Sequence, residues 1–143
     1  MSDEPTVASL LAANERFYRT FEALDAAGME ALWEQSPRTF CVHPGWPPLV
    51  GAEPVMESWR RIIGNTGEIR FRLTAVSAHV AGDVGVVTVF ESVSSEVSDE
   101  RHSAGAISTN LFAFDGTARA WKIFHHHASH TVLPNQAPPE TIN

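Results

Sequence analysis

The sequence predicts an α+β domain: a long curved antiparallel sheet wrapped as an open cone around N-terminal helices. Three observations carry this. Apolar residues in the N-terminal part recur at three- and four-residue steps, the spacing of amphipathic helices. From Glu68 the spacing changes to strand-type alternation in Val- and Thr-rich runs, broken at Ala81-Gly82-Asp83, Ser98-Asp99-Glu100-Arg101 and Asp115-Gly116-Thr117. Helices first and a strand meander afterwards is the α+β order.

The first helix is expected over Val7–Ala26, where Val7, Leu10, Leu11, Phe17, Phe21 and Leu24 form the apolar stripe. Thr6 or Ser9 is placed to cap its start, and Gly28 to end it. A short second helix follows over Met29–Gln35, carrying Leu32 and Trp33. Pro37 closes it, because the residue before a proline is pushed out of helical geometry. Arg38–His43 reads as a short strand that stops at the stiff loop Pro44-Gly45-Trp46-Pro47-Pro48. Pro54 opens a third helix with a stripe of Val55, Met56, Trp59, Ile62 and Ile63, broken by Gly64-Asn65-Thr66-Gly67. Four strands follow, at Glu68–Val80, Val84–Val97, His102–Phe114 and Arg119–Ala128. Leu133–Asn143 holds three prolines and is expected as a loose tail.

The 143 residues suit one domain, with its core at about residues 8–131. Seventeen acidic against ten basic residues give a formal charge of −7. That balance argues against nucleic acid and against anionic lipid as partners. No apolar run has the length of a membrane span, and Met1–Thr6 is acidic and polar, unlike a secretion signal. The lone Cys41 cannot form an internal disulfide and is expected to be buried and inert. A cytoplasmic protein is the simplest expectation. Both faces of the second long strand are apolar, with Val86, Thr88 and Phe90 on one and Val87, Val89 and Val93 on the other. A second copy of the chain, packed sheet to sheet, is the expected cover for the outer face.

The last strand holds the most informative stretch, Trp121-Lys122-Ile123-Phe124-His125-His126-His127. Simple alternation puts Trp121, Ile123, His125 and His127 on one face, and Lys122, Phe124 and His126 on the other. A core-facing row that passes from bulky apolar groups to two imidazoles reads as the floor of a pocket. His126 is then a surface or interface residue. His125 and His127, with His43, also have the residue types of a three-histidine zinc site, but no acidic residue is placed to orient them, so a metal-free pocket is the expectation.

These residues resemble a known family. His43-Pro44-Gly45-Trp46, Gly51, the helix bearing Trp59, Gly82-Asp83, Thr109-Asn110 and Trp121 followed by His125-His126-His127-Ala128-Ser129 look like the SnoaL-like, polyketide cyclase-like branch of the nuclear transport factor 2-like fold. The resemblance covers roughly residues 8–131. It extends to ketosteroid isomerase and to the association domain of calcium/calmodulin-dependent kinase. By the isomerase resemblance, His43 stands where its catalytic base does and Asn110 where its oxyanion-binding acid does, while Ile123, His125 and His127 take the inward positions of the last strand. Thr20 replaces the isomerase's tyrosine, and Tyr18 is expected on another face, so the isomerase reaction itself is not implied.

Taken together, His43, Asn110 and His127 are the catalytic candidates. Imidazole titrates near neutrality and moves protons, and a buried amide can polarise a carbonyl. Phe17, Trp46, Trp59, Phe112, Ile123 and His125 are the candidate pocket lining. Each also has a purely structural reading as core or as a backbone-bonded polar group. Glu91 is left open, as a surface charge or as a pocket carboxylate with a raised pKa. No phosphate loop or nucleophile elbow is present. The expected function is binding of a small, mainly apolar carbonyl compound, with cofactor-free isomerase, cyclase or dehydratase chemistry. The alternative is a non-catalytic ligand-binding or oligomerisation module.

Overall fold

The structure, a computed structural model, describes residues 4–133. The expected tail therefore lies, apart from Leu133, outside the described residues. Three helices, α1 (Val7–Glu22), α2 (Ala26–Leu32) and α3 (Ala52–Gly64), pack on a curved sheet. Its strands are β1 (Phe40–Val42), β2 (Leu49–Val50), β3 (Thr66–Ala81), β4 (Val84–Val97), β5 (Glu100–Asp115) and β6 (Ala120–Thr131). The order across the sheet is β2-β1-β6-β5-β4-β3, and the sheet does not close on itself. The expected α+β cone is what the chain builds.

Thr6 caps α1: its hydroxyl accepts from Ser9 N at 3.0 Å, while the Ser9 hydroxyl accepts from Thr6 N at 3.0 Å. The helix stops at Glu22, earlier than its apolar stripe implied, because Leu24 turns to φ 54°. Gly28 is not the terminator expected. It lies in the first turn of α2 and donates to the capping carboxylate of Asp25 at 2.9 Å. The short β2 pairs antiparallel with β1 and was not visible in the proline-rich loop.

β3 to β6 form an antiparallel meander. β1 alone joins it in parallel, with Phe40, Cys41 and Val42 beside His125, His126 and His127. The concave face of β4 is set by its buried residues Gly85, Val87, Val89 and Glu91. Gly85 is small for a reason: a Cβ there would sit 2.6 Å from Leu10 Cδ1, so α1 presses directly on the backbone of the strand. Phe17 of α1 meets Trp59 of α3 edge-on, with ring centroids 5.6 Å apart, and it also packs on Trp33 and Tyr18. This aromatic cluster fills the narrow part of the cone.

One irregularity changes the reading of β6. Leu111 pairs with His125, but the next residue, Phe112, pairs with Ile123, so Phe124 is an extra residue in the ladder. Beyond this bulge the alternation is inverted. His126 and Ala128 face the core, while His127 is exposed and His125 stacks on Phe40 at 4.6 Å away from it. The expectation that His125 and His127 point inward and His126 outward is corrected by that single inserted residue.

Candidate functional site

The inverted alternation brings together a different set of polar groups from the one expected. His126, buried and opposite Asn110 in the β5–β6 ladder, approaches it with Nδ1 2.6 Å from Asn110 Oδ1. Asn110 Nδ2 donates to Asn14 Oδ1 at 2.9 Å and to Tyr18 Oη at 3.2 Å. The amide oxygen is thus the acceptor, and His126 donates through Nδ1–H, which leaves Nε2 as its basic nitrogen. Tyr18 in turn donates to Glu91 Oε2 at 2.5 Å, and Ser108 donates to the same oxygen at 2.5 Å. A continuous buried network therefore runs from His126 through Asn110 and Tyr18 to Glu91, tying α1 to β4, β5 and β6.

His43 sits at the end of β1, 4% exposed, between the rings of Trp46 and Trp59. Its Nε2 is 2.9 Å from Ser58 Oγ. The single Ser58 hydroxyl proton goes to the Val55 carbonyl at 2.7 Å, so Nε2 carries the imidazole proton and donates. Nδ1 is left as the basic nitrogen, with Cys41 Sγ 3.9 Å away. Burial pushes the His43 pKa down to about 4 and that of His126 to about 3, the latter helped by the neighbouring imidazoles. Both rings are neutral at physiological pH. Burial raises the pKa of Glu91 against the opposing hydrogen bonds from Ser108 and Tyr18. Burial likewise raises Tyr18, with the Glu91 carboxylate adding to the effect.

A cavity of about 320 Å³ opens between the helices and the concave sheet. Its walls are mostly apolar, from Phe17, Phe21, Trp46, Trp59, Ile69 and Phe71. Its polar lining includes His43, Tyr18, Glu91 and His126, with the exposed His102 and His130 at the rim. Of the expected lining, Phe17, Trp46 and Trp59 reach this cavity. Phe112 and Ile123 are buried beneath it in the core, and His125 lies on the other face of the sheet. Of the catalytic candidates, His43 lines the cavity and His127 points away from it. Asn110 is fully buried and outside the lining, with both ends of its amide used inside the protein. It positions other residues and cannot itself reach a ligand.

Tyr18, Asn14, Glu91 and His126 are the site residues that sequence reasoning missed or left open. Asn14 and Tyr18 follow Leu10 at four-residue steps, so the helical stripe could have included them. Glu91 shares the parity of Val87 and Val89. For His126 the bulge left no usable signal. Among the described residues, no group of three or more His, Cys, Asp or Glu side chains could hold a metal ion, since His125 and His127 lie on the opposite side of the sheet from His43.

The family model described as a SnoaL-like domain matches residues 10–133. This chain belongs to the SnoaL-like family. No protein of curated function matches it. Among solved structures, the SnoaL-like chain is similar to a protein of the nuclear transport factor 2-like family from Streptomyces avermitilis, provisionally called a dehydratase. The two are 33% identical with a TM-score of 0.81 over 89% of this chain and 96% of that one. It is also similar to a Thiobacillus denitrificans protein provisionally called a calcium/calmodulin-dependent kinase type II association domain, at 29% identity and TM-score 0.73 over 92% and 99%. A ketosteroid isomerase-like protein from Erwinia carotovora atroseptica shares the fold at 16% identity and TM-score 0.74, over 89% and 97%. No helix among the described residues of the SnoaL-like chain is long and apolar enough to cross a membrane.

Proposed function

We propose that this SnoaL-like chain binds a small, mainly apolar carbonyl compound in the concave cavity and moves a proton on it without a cofactor. The reaction class is isomerisation, cyclisation or dehydration. The observation that carries this is His43: a neutral imidazole whose proton is fixed on Ser58, leaving a basic Nδ1 on a residue that lines an apolar cavity. The provisional name of the Streptomyces protein is consistent with such chemistry.

The test uses α-tetralone, a neutral aromatic ketone, in deuterated buffer. The expected result is uptake of deuterium at the carbon next to the carbonyl, faster than in buffer alone, read by proton NMR. His43→Gln is expected to abolish it. Exchange that persists unchanged in His43→Gln removes His43 as the base.

A second reading is a non-catalytic binding or oligomerisation module. It is favoured by Asn110, whose donors are spent on Asn14 and Tyr18, so that the isomerase-type oxyanion donor is not supplied from this position. Binding of the ketone without any exchange would support it.

For the outer face, the same reading takes the chain as a cytoplasmic homodimer. Phe90 and Ile107 are neighbours across β4 and β5, and Ile107 is 44% exposed. Sedimentation of Ile107→Glu beside the unaltered chain tests that interface, with a monomer expected for the variant.

A further inference from the structure

Glu91 has one oxygen spoken for and one free. Oε2 takes both the Tyr18 and Ser108 protons, while Oε1 makes no hydrogen bond with the described residues, and the residue lines the cavity. The surroundings of this carboxyl lack positive charge. No lysine or arginine is among the described lining residues. The other titratable groups that line the cavity are Tyr18 on α1, His43 beside β1, His126 on β6, and the rim residues His102 on β5 and His130 on β6; the remaining charged residues of these elements are not part of the lining. His43 and His126 are neutral through burial.

An anion entering such a cavity would lose its water and find no counter-charge, and it would meet the Glu91 carboxyl. Burying an unpaired charge costs far more than burying a neutral carbonyl that accepts one hydrogen bond. We infer that the cavity excludes anionic ligands and that Glu91 Oε1 is the atom on which the carbonyl or hydroxyl oxygen of an uncharged ligand seats. This rests on the ligand-binding reading above and narrows it: carboxylates, phosphates and phosphate-bearing thioesters are excluded as substrates. A carbonyl oxygen can only accept, so it binds the protonated carboxyl. The raised pKa of Glu91 keeps that form present to higher pH than an exposed glutamate would.

The test is calorimetric titration of the full chain with α-tetralone and with α-naphthoate, which share the fused bicycle and differ in charge. Binding is measured from mildly acidic pH to about pH 8, where an ordinary imidazole is uncharged. The ketone is expected to bind, and its affinity to fall as pH rises and Glu91 ionises. The carboxylate is expected to bind at least about 100-fold more weakly at the upper pH. Glu91→Gln, which keeps the acceptor for Tyr18 and Ser108 and offers an amide donor, is expected to bind the ketone with no such fall. Naphthoate affinity within tenfold of the ketone's overturns the inference, as does the same pH curve in both proteins. If the ketone binds neither protein at any pH, the ligand-binding reading itself falls and takes this inference with it.

Discussion

His126 Nδ1 and Asn110 Oδ1 face each other at 2.6 Å across the β5–β6 ladder, and through Asn110 the imidazole is linked to Asn14 and Tyr18 on α1. One amide thus satisfies three buried polar partners on two other elements. Asn110→Ala removes the bond that each of the three makes to the amide, leaving Tyr18 only its bond to Glu91, and opens a cavity. The expected cost is about 2–4 kcal/mol, read as a lowered midpoint in urea unfolding. A loss under about 0.5 kcal/mol would mean that the network does not hold the helix to the sheet.

The bulge at Phe124 predicts opposite outcomes for adjacent histidines. His127→Ala removes an exposed side chain and should change stability by no more than about 0.5 kcal/mol. His126→Ala strips a buried ring from beside Phe17 and unpairs Asn110, so a loss of about 2–4 kcal/mol is expected. Thermal and urea unfolding of the pair decide the matter. Equal losses would restore the simple alternation.

Acid should unfold the protein through its buried histidines. The folded pKa values of His43 and His126, about 4 and about 3, lie below the ordinary value of 6.5. Between these limits the unfolded chain binds protons that the folded chain refuses. Stability is therefore fully present above about pH 6.5 and falls on acidification, by up to about 3 kcal/mol for His43 and about 5 kcal/mol for His126. Glu91 acts with the opposite sign, since its raised pKa makes its contribution decline as pH rises through the folded value. Unfolding free energy measured against pH should show the acid limb, and His43→Gln should make it shallower. An unchanged limb in that variant assigns the effect elsewhere.

Gly85→Ala tests the seat of α1 on β4. The new methyl would lie 2.6 and 2.7 Å from the two Leu10 methyl groups, and Leu10 is fully buried with nowhere to swing. A loss of about 1–3 kcal/mol is expected from the overpacking. Leu10→Ala in the same chain should relieve part of it, which a double-mutant cycle would measure.

The fold was legible because its signals are local and repeated. The switch from helical spacing before Gly64 to alternation after it, the three turn clusters and the Thr6 cap each lie within a few residues. His43 was legible for a similar reason: a titratable residue at the end of a strand, locked by prolines. The histidines of β6 were not. A bulge inserts one residue without altering residue types, and everything beyond it changes face. Glu91 was undecided because both faces of β4 are apolar, and only the contact of Gly85 with Leu10 says which one meets the helices. Asn110 is legible in the sequence as an amide that can polarise a carbonyl, but sequence gives no view of partners as distant as Asn14, and in the fold its donors go to Asn14 and Tyr18.

The parallel pairing of β1 with β6 has a consequence for the order of events as the chain emerges from a ribosome. Cys41 waits for His126. The hairpins from β3 to β6 can form as their turns appear, whereas β1 can pair early only with β2, and its other edge stays open until the final strand arrives after α3 and three further strands. The basic nitrogens of His43 and His126 therefore come together only when the described fold is nearly complete. A chain cut short before β6 carries the sequence of its helices and most of its sheet, but it lacks His126, and the edges of β1 and β5 that β6 would join are left open.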